Sequence, residues 1–170
     1  MMEKEEKYRL LDSQIAALIE GETDEVSVMA NVAAAIHEAM GFFWTGFYLV
    51  RQHAATGVQT PASELRHGPT QAPASELRLG PFQGPVACMH IAYGRGVCGT
   101  AWQRAETIVV PDVEEFPGHI ACSSLSRSEI VVPVFSADGT VKAVLDIDSK
   151  ELNTFDAVDQ HWLEKIVAKL

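Results

Sequence analysis

From Glu3 to Glu20 the apolar residues Tyr8, Leu11, Ile15, Leu18 and Ile19 recur at helical spacing, which predicts an amphipathic helix. Gly21 stops it, and Thr23 stands where a side chain would cap the next helix. That second helix carries Val26, Met29, Val32, Ala33, Ile36 and Met40 on one face and ends at Gly41. The period then changes. The stretch from Phe42 to Val50 is aromatic and β-branched and reads as a strand, as do residues 86–93, 107–110, 129–135 and 141–148. Asp138-Gly139 between the last two is a hairpin signal, so this pair should run antiparallel. A final helix starts near Thr154 and sets Val158, Trp162, Ile166 and Leu170 in one stripe. Helices at both ends of a largely antiparallel sheet make the fold class α+β.

The stretch from Arg51 to Gly80 breaks the pattern. Pro61-Ala62-Ser63-Glu64-Leu65-Arg66-His67-Gly68-Pro69 recurs as Pro73-Ala74-Ser75-Glu76-Leu77-Arg78-Leu79-Gly80-Pro81. Two copies are too few for a stacked repeat array, and proline and glycine at their ends favour a projecting loop. The expectation is a small tandem duplication inside a hairpin connection, its second copy leading into the next strand.

Composition narrows the class. A chain of 170 residues, 47% of them hydrophobic, can bury one core and is not wholly disordered. No apolar run is long enough to span a membrane, and the charged N-terminus lacks the apolar core of a signal peptide. The expected location is the cytoplasm. A net charge of -10 would repel a phosphate backbone, which argues against nucleic acid as partner. Cys88, Cys98 and Cys122 are an odd number with no close pair, so a structural zinc site is disfavoured. In a reducing compartment such residues are either small buried apolar groups or redox-active thiols.

Four segments carry candidate chemistry. Gly94-Arg95-Gly96-Val97-Cys98-Gly99 matches a dinucleotide-binding fingerprint, and Asp112 follows the next strand. The helix after it is too short for a parallel crossover, so the glycines read instead as a turn that lets Cys98 approach another segment. Asp146 and Asp148 lie two apart on a strand and share a face, with Leu145 and Ile147 on the other. That face is either solvated or a pocket where two carboxylates raise one another's pKa. Cys122 sits in a loop after Phe116-Pro117-Gly118, where His119 is either a surface histidine or a group that lowers the pKa of the cysteine. Trp44 and Tyr48 share a strand face, as core packing or as a pocket wall.

In combination these segments resemble one family, the free methionine-(R)-sulfoxide reductases, which are stand-alone GAF-domain enzymes. The resemblance rests on Trp44-Thr45-Gly46-Phe47-Tyr48-Leu49, Leu79-Gly80-Pro81-Phe82-Gln83-Gly84 and Gly94-Arg95-Gly96-Val97-Cys98-Gly99-Thr100-Ala101. It continues through Gly118-His119-Ile120-Ala121-Cys122, Ser128-Glu129-Ile130-Val131 and Leu145-Asp146-Ile147-Asp148-Ser149. It implies a GAF-like fold over residues 1–170, with N- and C-terminal helices packed on one face of a central antiparallel sheet and a ligand pocket on the other. The repeat then lies in an insertion loop at about 51–76. By the same resemblance Cys122 is the catalytic cysteine, Cys88 the resolving cysteine and Cys98 a further thiol able to join recycling. Trp44, Tyr48, Glu129, Asp146 and Asp148 would line the substrate pocket.

The implied reaction reduces free methionine sulfoxide by thiol chemistry, with one of Glu129, Asp146 and Asp148 as acid. A thioredoxin-type protein would be the reductant, and no metal or organic cofactor would be needed. The exposed face of the first helix leaves room for a homodimer. Ser123 departs from the family, which has aspartate after the catalytic cysteine, and the repeat loop is foreign to it. The other reading is a GAF module that senses a small molecule without chemistry. Such modules are usually fused to an output domain, for which this chain has no room.

Overall fold

The computed structural model describes residues 3–52, 75–120 and 122–170. Helix α1 (Lys4–Leu18) buries Tyr8, Leu11 and Ile15, whereas Leu18, at the helix end, faces outward. Helix α2 (Glu25–Met40) buries Met29, Val32, Ala33 and Ile36 and leaves Val26 exposed. Its cap is Asp24 rather than Thr23: the Asp24 carboxylate accepts from the backbone N–H of Ser27 at 2.7 Å. A carboxylate at a helix N-terminus also complements the helix dipole, which a hydroxyl does not. Gly41 ends α2 in the left-handed conformation, φ 75°.

Six strands follow: β1 (Trp44–Gln52), β2 (Ser75–Gln83), β3 (His90–Ala92), β4 (Ile108–Val110), β5 (Ser128–Phe135) and β6 (Val141–Ser149). They form one antiparallel sheet in the order β3-β2-β1-β6-β5-β4. The β5–β6 hairpin turns at Asp138-Gly139, where Asp138 accepts from the backbone and hydroxyl of Thr140. Between β3 and β4 lies helix α3 (Gly96–Arg104), and helix α4 (Ala157–Val167) closes the chain. A capping box between Asp156 and Asp159 starts α4 three residues beyond Thr154. The wholly buried Asp159 also receives Tyr8 Oη at 2.8 Å and Lys4 Nζ at 2.5 Å, tying α1 to α4. Among the described residues no helix is long and apolar enough to cross a membrane.

The second repeat copy does not lead into a strand; from Ser75 onward it is one, forming β2 against β1. Alternating Leu77 and Leu79 face the apolar side, and a register shift in the ladder to β1 accommodates Gly80 and Pro81. The first copy, and the insertion expected at about 51–76 apart from Arg51, Gln52, Ser75 and Glu76, lie outside the described residues. The strand expected over 86–93 shortens to His90–Ala92. Upstream of it, carbonyls that would join a ladder accept from aromatic side chains instead, Pro85 from Trp44 Nε1 and Cys88 from Tyr48 Oη, each at 3.0 Å.

Period-two alternation divides the sheet between two cores. Phe47, Leu49, Ile130, Val132, Val134, Leu145 and Ile147 pack under α1, α2 and α4. Trp44, Tyr48, Leu77, Val131 and Val144 face the other way, where Val97, Cys98, Ala101 and Trp102 of α3 cover them. The glycine fingerprint serves this packing. Gly94 and Gly96 turn the chain at φ 72° and 61°, and a side chain on Gly99 would collide with the carbonyl of Ala92. α3 thus rests directly on the end of β3.

Candidate active site

Register assembles the floor of a pocket between the sheet and α3. Asp148 stands across from Trp44 on β1 and Glu129 on β5, and Asp146 stands across from Gly46 and Val131. Inward alternation on the adjacent strands β5 and β6 therefore sets Glu129, Asp146 and Asp148 side by side. Glu129 and Asp146 are buried, and Asp146 Oδ1 has no hydrogen-bond partner among the described residues. Burial first, then the charges of neighbouring carboxylates (Asp146 and Asp148 on Glu129, Asp148 on Asp146), pushes the Glu129 and Asp146 carboxyls well above their ordinary values. Burial lifts Asp148 less, to about 6, because the Ser126 hydroxyl hydrogen-bonds its charged form. The three acids thus divide into an outer group with a pKa of about 6 and an inner pair whose burial favours the protonated form.

Removing the outer charge should stabilise the fold in a pH-dependent way. A raised folded-state pKa means that the ionised form is the costly one, so the penalty appears as pH climbs from about 4 to 6. Asp148→Asn is therefore expected to melt several degrees higher than wild type at neutral pH and about level with it near pH 4. Thermal melts at the two pH values check this, and an equal shift at both would contradict it.

Aromatic rings wall the pocket. Trp44 stacks on Phe82 with ring centroids 5.4 Å apart and approaches Tyr48 at 6.0 Å. A side chain at Gly46 would meet both Trp44 and Phe82, so the glycine admits the indole over the strand. The Tyr48 hydroxyl bonds the carbonyl of Cys88, and the sheet thereby holds the segment that carries this cysteine.

At the mouth, Cys88 and Cys122 form a disulfide across 34 residues of sequence, with Cα atoms 5.5 Å apart. Cys122 is exposed and Cys88 half-buried. Ser123, after Cys122, accepts the N–H of Leu125 on its hydroxyl at 3.2 Å, a turn-closing bond that an aspartate in its place would make equally. Cys98 is a free buried thiol inside the pocket, its Sγ 4.0 Å from Glu129 Oε1. Burial and the carboxylates push that thiol well above its ordinary pKa, so it is a poor thiolate. Cys98, Glu129 and Asp146 bring ligand atoms within 4.8 Å of one another, a set that would also suit a cation.

His119 lines the pocket with Nε2 3.8 Å from Glu129 Oε2. Burial lowers its pKa, which favours the neutral ring. It faces the carboxylate, and a neutral imidazole lacks the charge that the sequence reading invoked to acidify Cys122. The structure brings Trp44, Tyr48, Cys98, Cys122, Glu129, Asp146 and Asp148 around one cavity and bonds Cys88 to Cys122 above it. Sequence reasoning missed Ser126 and Arg95, which also line it. Neither carries a local signal: Ser126 is one of several serines in a loop, and Arg95 lies inside a glycine turn.

The family model of the GAF domain matches residues 22–170. GAF domain-containing protein A of Dictyostelium discoideum is 48% identical over 98% of this chain and 92% of its own length. The free methionine-R-sulfoxide reductase of Saccharomyces cerevisiae is 41% identical over 99% of this chain and 86% of its own. Among solved structures, free methionine-R-sulfoxide reductase of Neisseria meningitidis in complex with its substrate superposes with a TM-score of 0.81 at 46% identity. That match covers 98% of this chain and 87% of the other.

Proposed function

The chain belongs to the GAF-domain family, and from that premise we propose that it reduces free methionine-R-sulfoxide to methionine, with Cys122 as nucleophile. The observation that carries this reading is the Cys88–Cys122 disulfide at the mouth of an acidic, aromatic-walled pocket.

The chemistry follows from the groups present. Reduction begins with Cys122 as a thiolate, which attacks the sulfoxide sulfur. The oxygen passes to the cysteine sulfur, leaving a sulfenic acid and releasing methionine. An acid must protonate that oxygen as it departs, and burial biases the inner pair of Glu129 and Asp146 toward the protonated form that this step needs. Cys88 then attacks the sulfenic sulfur, water leaves and the disulfide forms. In sum, one sulfoxide and two thiols yield one thioether, one water and one disulfide.

Selectivity rests on charge and enclosure. Asp148, ionised at neutral pH, faces the ammonium group that only a free amino acid carries, while the Trp44 ring packs against the thioether end. A peptide-bound methionine sulfoxide has no such cation and would have to thread its backbone into the cavity. Cys98 is a reserve thiol here, with Cys88 as the primary resolving group. A thioredoxin-type dithiol restores the pair in a reducing compartment such as the cytoplasm, and no organic cofactor enters the cycle.

The test is turnover of free methionine-R-sulfoxide, its S epimer and a peptide-bound sulfoxide side by side, with dithiothreitol as reductant. Reduction of the free R form alone is expected. Tight binding of free methionine with no turnover would replace the reductase by a sensor.

A further inference from the structure

The disulfide lies within a group of exposed apolar side chains. Val86 and Met89, two residues before and one after Cys88, are 87% and 69% exposed. Ile120 and Leu125, two before and three after Cys122, are 37% and 55% exposed. A residue n places along the chain lies at most about 3.6 Å × n away, so all four fall within about 11 Å of a bonded cysteine. The two cysteines are themselves 5.5 Å apart between Cα atoms. The four residues therefore flank the disulfide on both of its segments, each close to a bonded cysteine. Val86 and Ile120 contribute to the pocket lining, but Met89 and Leu125 do not, so the pocket does not account for them.

An apolar side chain held in water around a reactive bond suits a partner that arrives, exchanges and leaves. Redox encounters use the smallest class of protein interface, below about 1,200 Å² in total, for which a few apolar contacts suffice. The disulfide they flank determines the chemistry that partner must carry. We propose that Val86, Met89, Ile120 and Leu125 form the docking surface for a protein dithiol of the thioredoxin class, which reduces the Cys88–Cys122 bond directly. This rests on the reductase reading above and names the surface that recycles the same site.

The exchange is balanced within the two proteins. A thiolate of the partner attacks Sγ of the exposed Cys122, forming a mixed disulfide and releasing Cys88 as a thiolate that takes up a proton. The partner's second thiol attacks its own sulfur in the mixed disulfide, freeing Cys122. Two electrons pass to the enzyme and the partner leaves as a disulfide. The apolar rim lowers the free energy of the encounter in which this attack is in line, and it offers nothing comparable to a small thiol.

Met89→Glu combined with Leu125→Glu tests the surface without touching the pocket lining. Turnover of methionine-R-sulfoxide is measured with thioredoxin, thioredoxin reductase and NADPH, varying thioredoxin, and separately with dithiothreitol. The variant should lose about tenfold or more in kcat/KM for thioredoxin, the scale of losing an interface anchor, with its dithiothreitol-driven rate unchanged. A change within about twofold for thioredoxin, or an equal loss with both reductants, would overturn the proposal. So would wild-type protein that recycles equally fast with glutathione and thioredoxin at matched thiol concentration. Wild-type protein active with dithiothreitol and inactive with thioredoxin would overturn the surface alone. Inactivity with every reductant would remove the reductase reading itself.

Discussion

A Cys122→Ser protein is expected to reduce no methionine sulfoxide, losing more than about 10³-fold in kcat with every reductant, as the removal of a nucleophile does. Serine keeps the shape of the loop but its hydroxyl is a far weaker nucleophile toward sulfur. The companion Cys88→Ser should behave differently. Its first turnover needs only Cys122, so one equivalent of methionine per protein should appear rapidly. Later turnovers should depend on an external thiol capturing the sulfenic acid. Rapid-quench measurement of methionine, with and without dithiothreitol, distinguishes the two. Full multiple-turnover activity in Cys122→Ser would place the nucleophile elsewhere. Cys98, deeply buried and held as a thiol by its acidic neighbours, is a poor candidate for that post.

Glu129→Gln and Asp146→Asn should each lower kcat by about 10²–10⁴, the usual range for a positioned proton donor. Both amides match their parents in shape, so the loss measures the proton rather than the packing. The pH profile gives the sign. Burial and neighbouring carboxylate charges raise both carboxyls, so the acid form persists to higher pH than in an exposed carboxyl and disappears as pH rises through the elevated pKa. Wild-type kcat should therefore fall on the alkaline side, and that limb should change in either variant. Because the pair shares its protons, the limb belongs to the two groups together. An unchanged kcat and pH profile in both variants would place proton delivery outside this pair.

Much of the architecture was legible because local periodicity encodes it. The stripes of α1, α2 and α4 and the alternation of β5 and β6 give element type, order and buried face from residue spacing alone. The errors fall where non-local contacts decide. Residues 86–89 have strand-like composition, yet the carbonyls of Pro85 and Cys88 accept from Trp44 and Tyr48, about forty residues upstream, and the strand is confined to His90–Ala92. Ser75–Pro81 has a repeat's turn-rich look, yet pairing with β1 makes it a strand. Thr23 and Asp24 are both plausible caps, and only the backbone geometry at the α2 start selects the aspartate.

The candidate site divides along the same line. Alternation already placed Asp146 and Asp148 on one face and Trp44 and Tyr48 on another shared face, and the residue types pointed to thiol and acid chemistry. Spacing alone left open whether that face met water or a pocket. Only the tertiary structure joins β1, β6 and β5 in the register that sets Trp44, Asp148 and Glu129 in one row. It alone lowers α3 onto them, so that desolvation makes ordinary carboxyls into proton-holding ones. It also sets His119 Nε2 3.8 Å from Glu129. Sequence determines the period and chemistry of each segment, because those are properties of neighbouring residues. Distance and dielectric between residues remote in the chain arise only when the sheet closes and water leaves, and those two quantities decide which acids keep their protons.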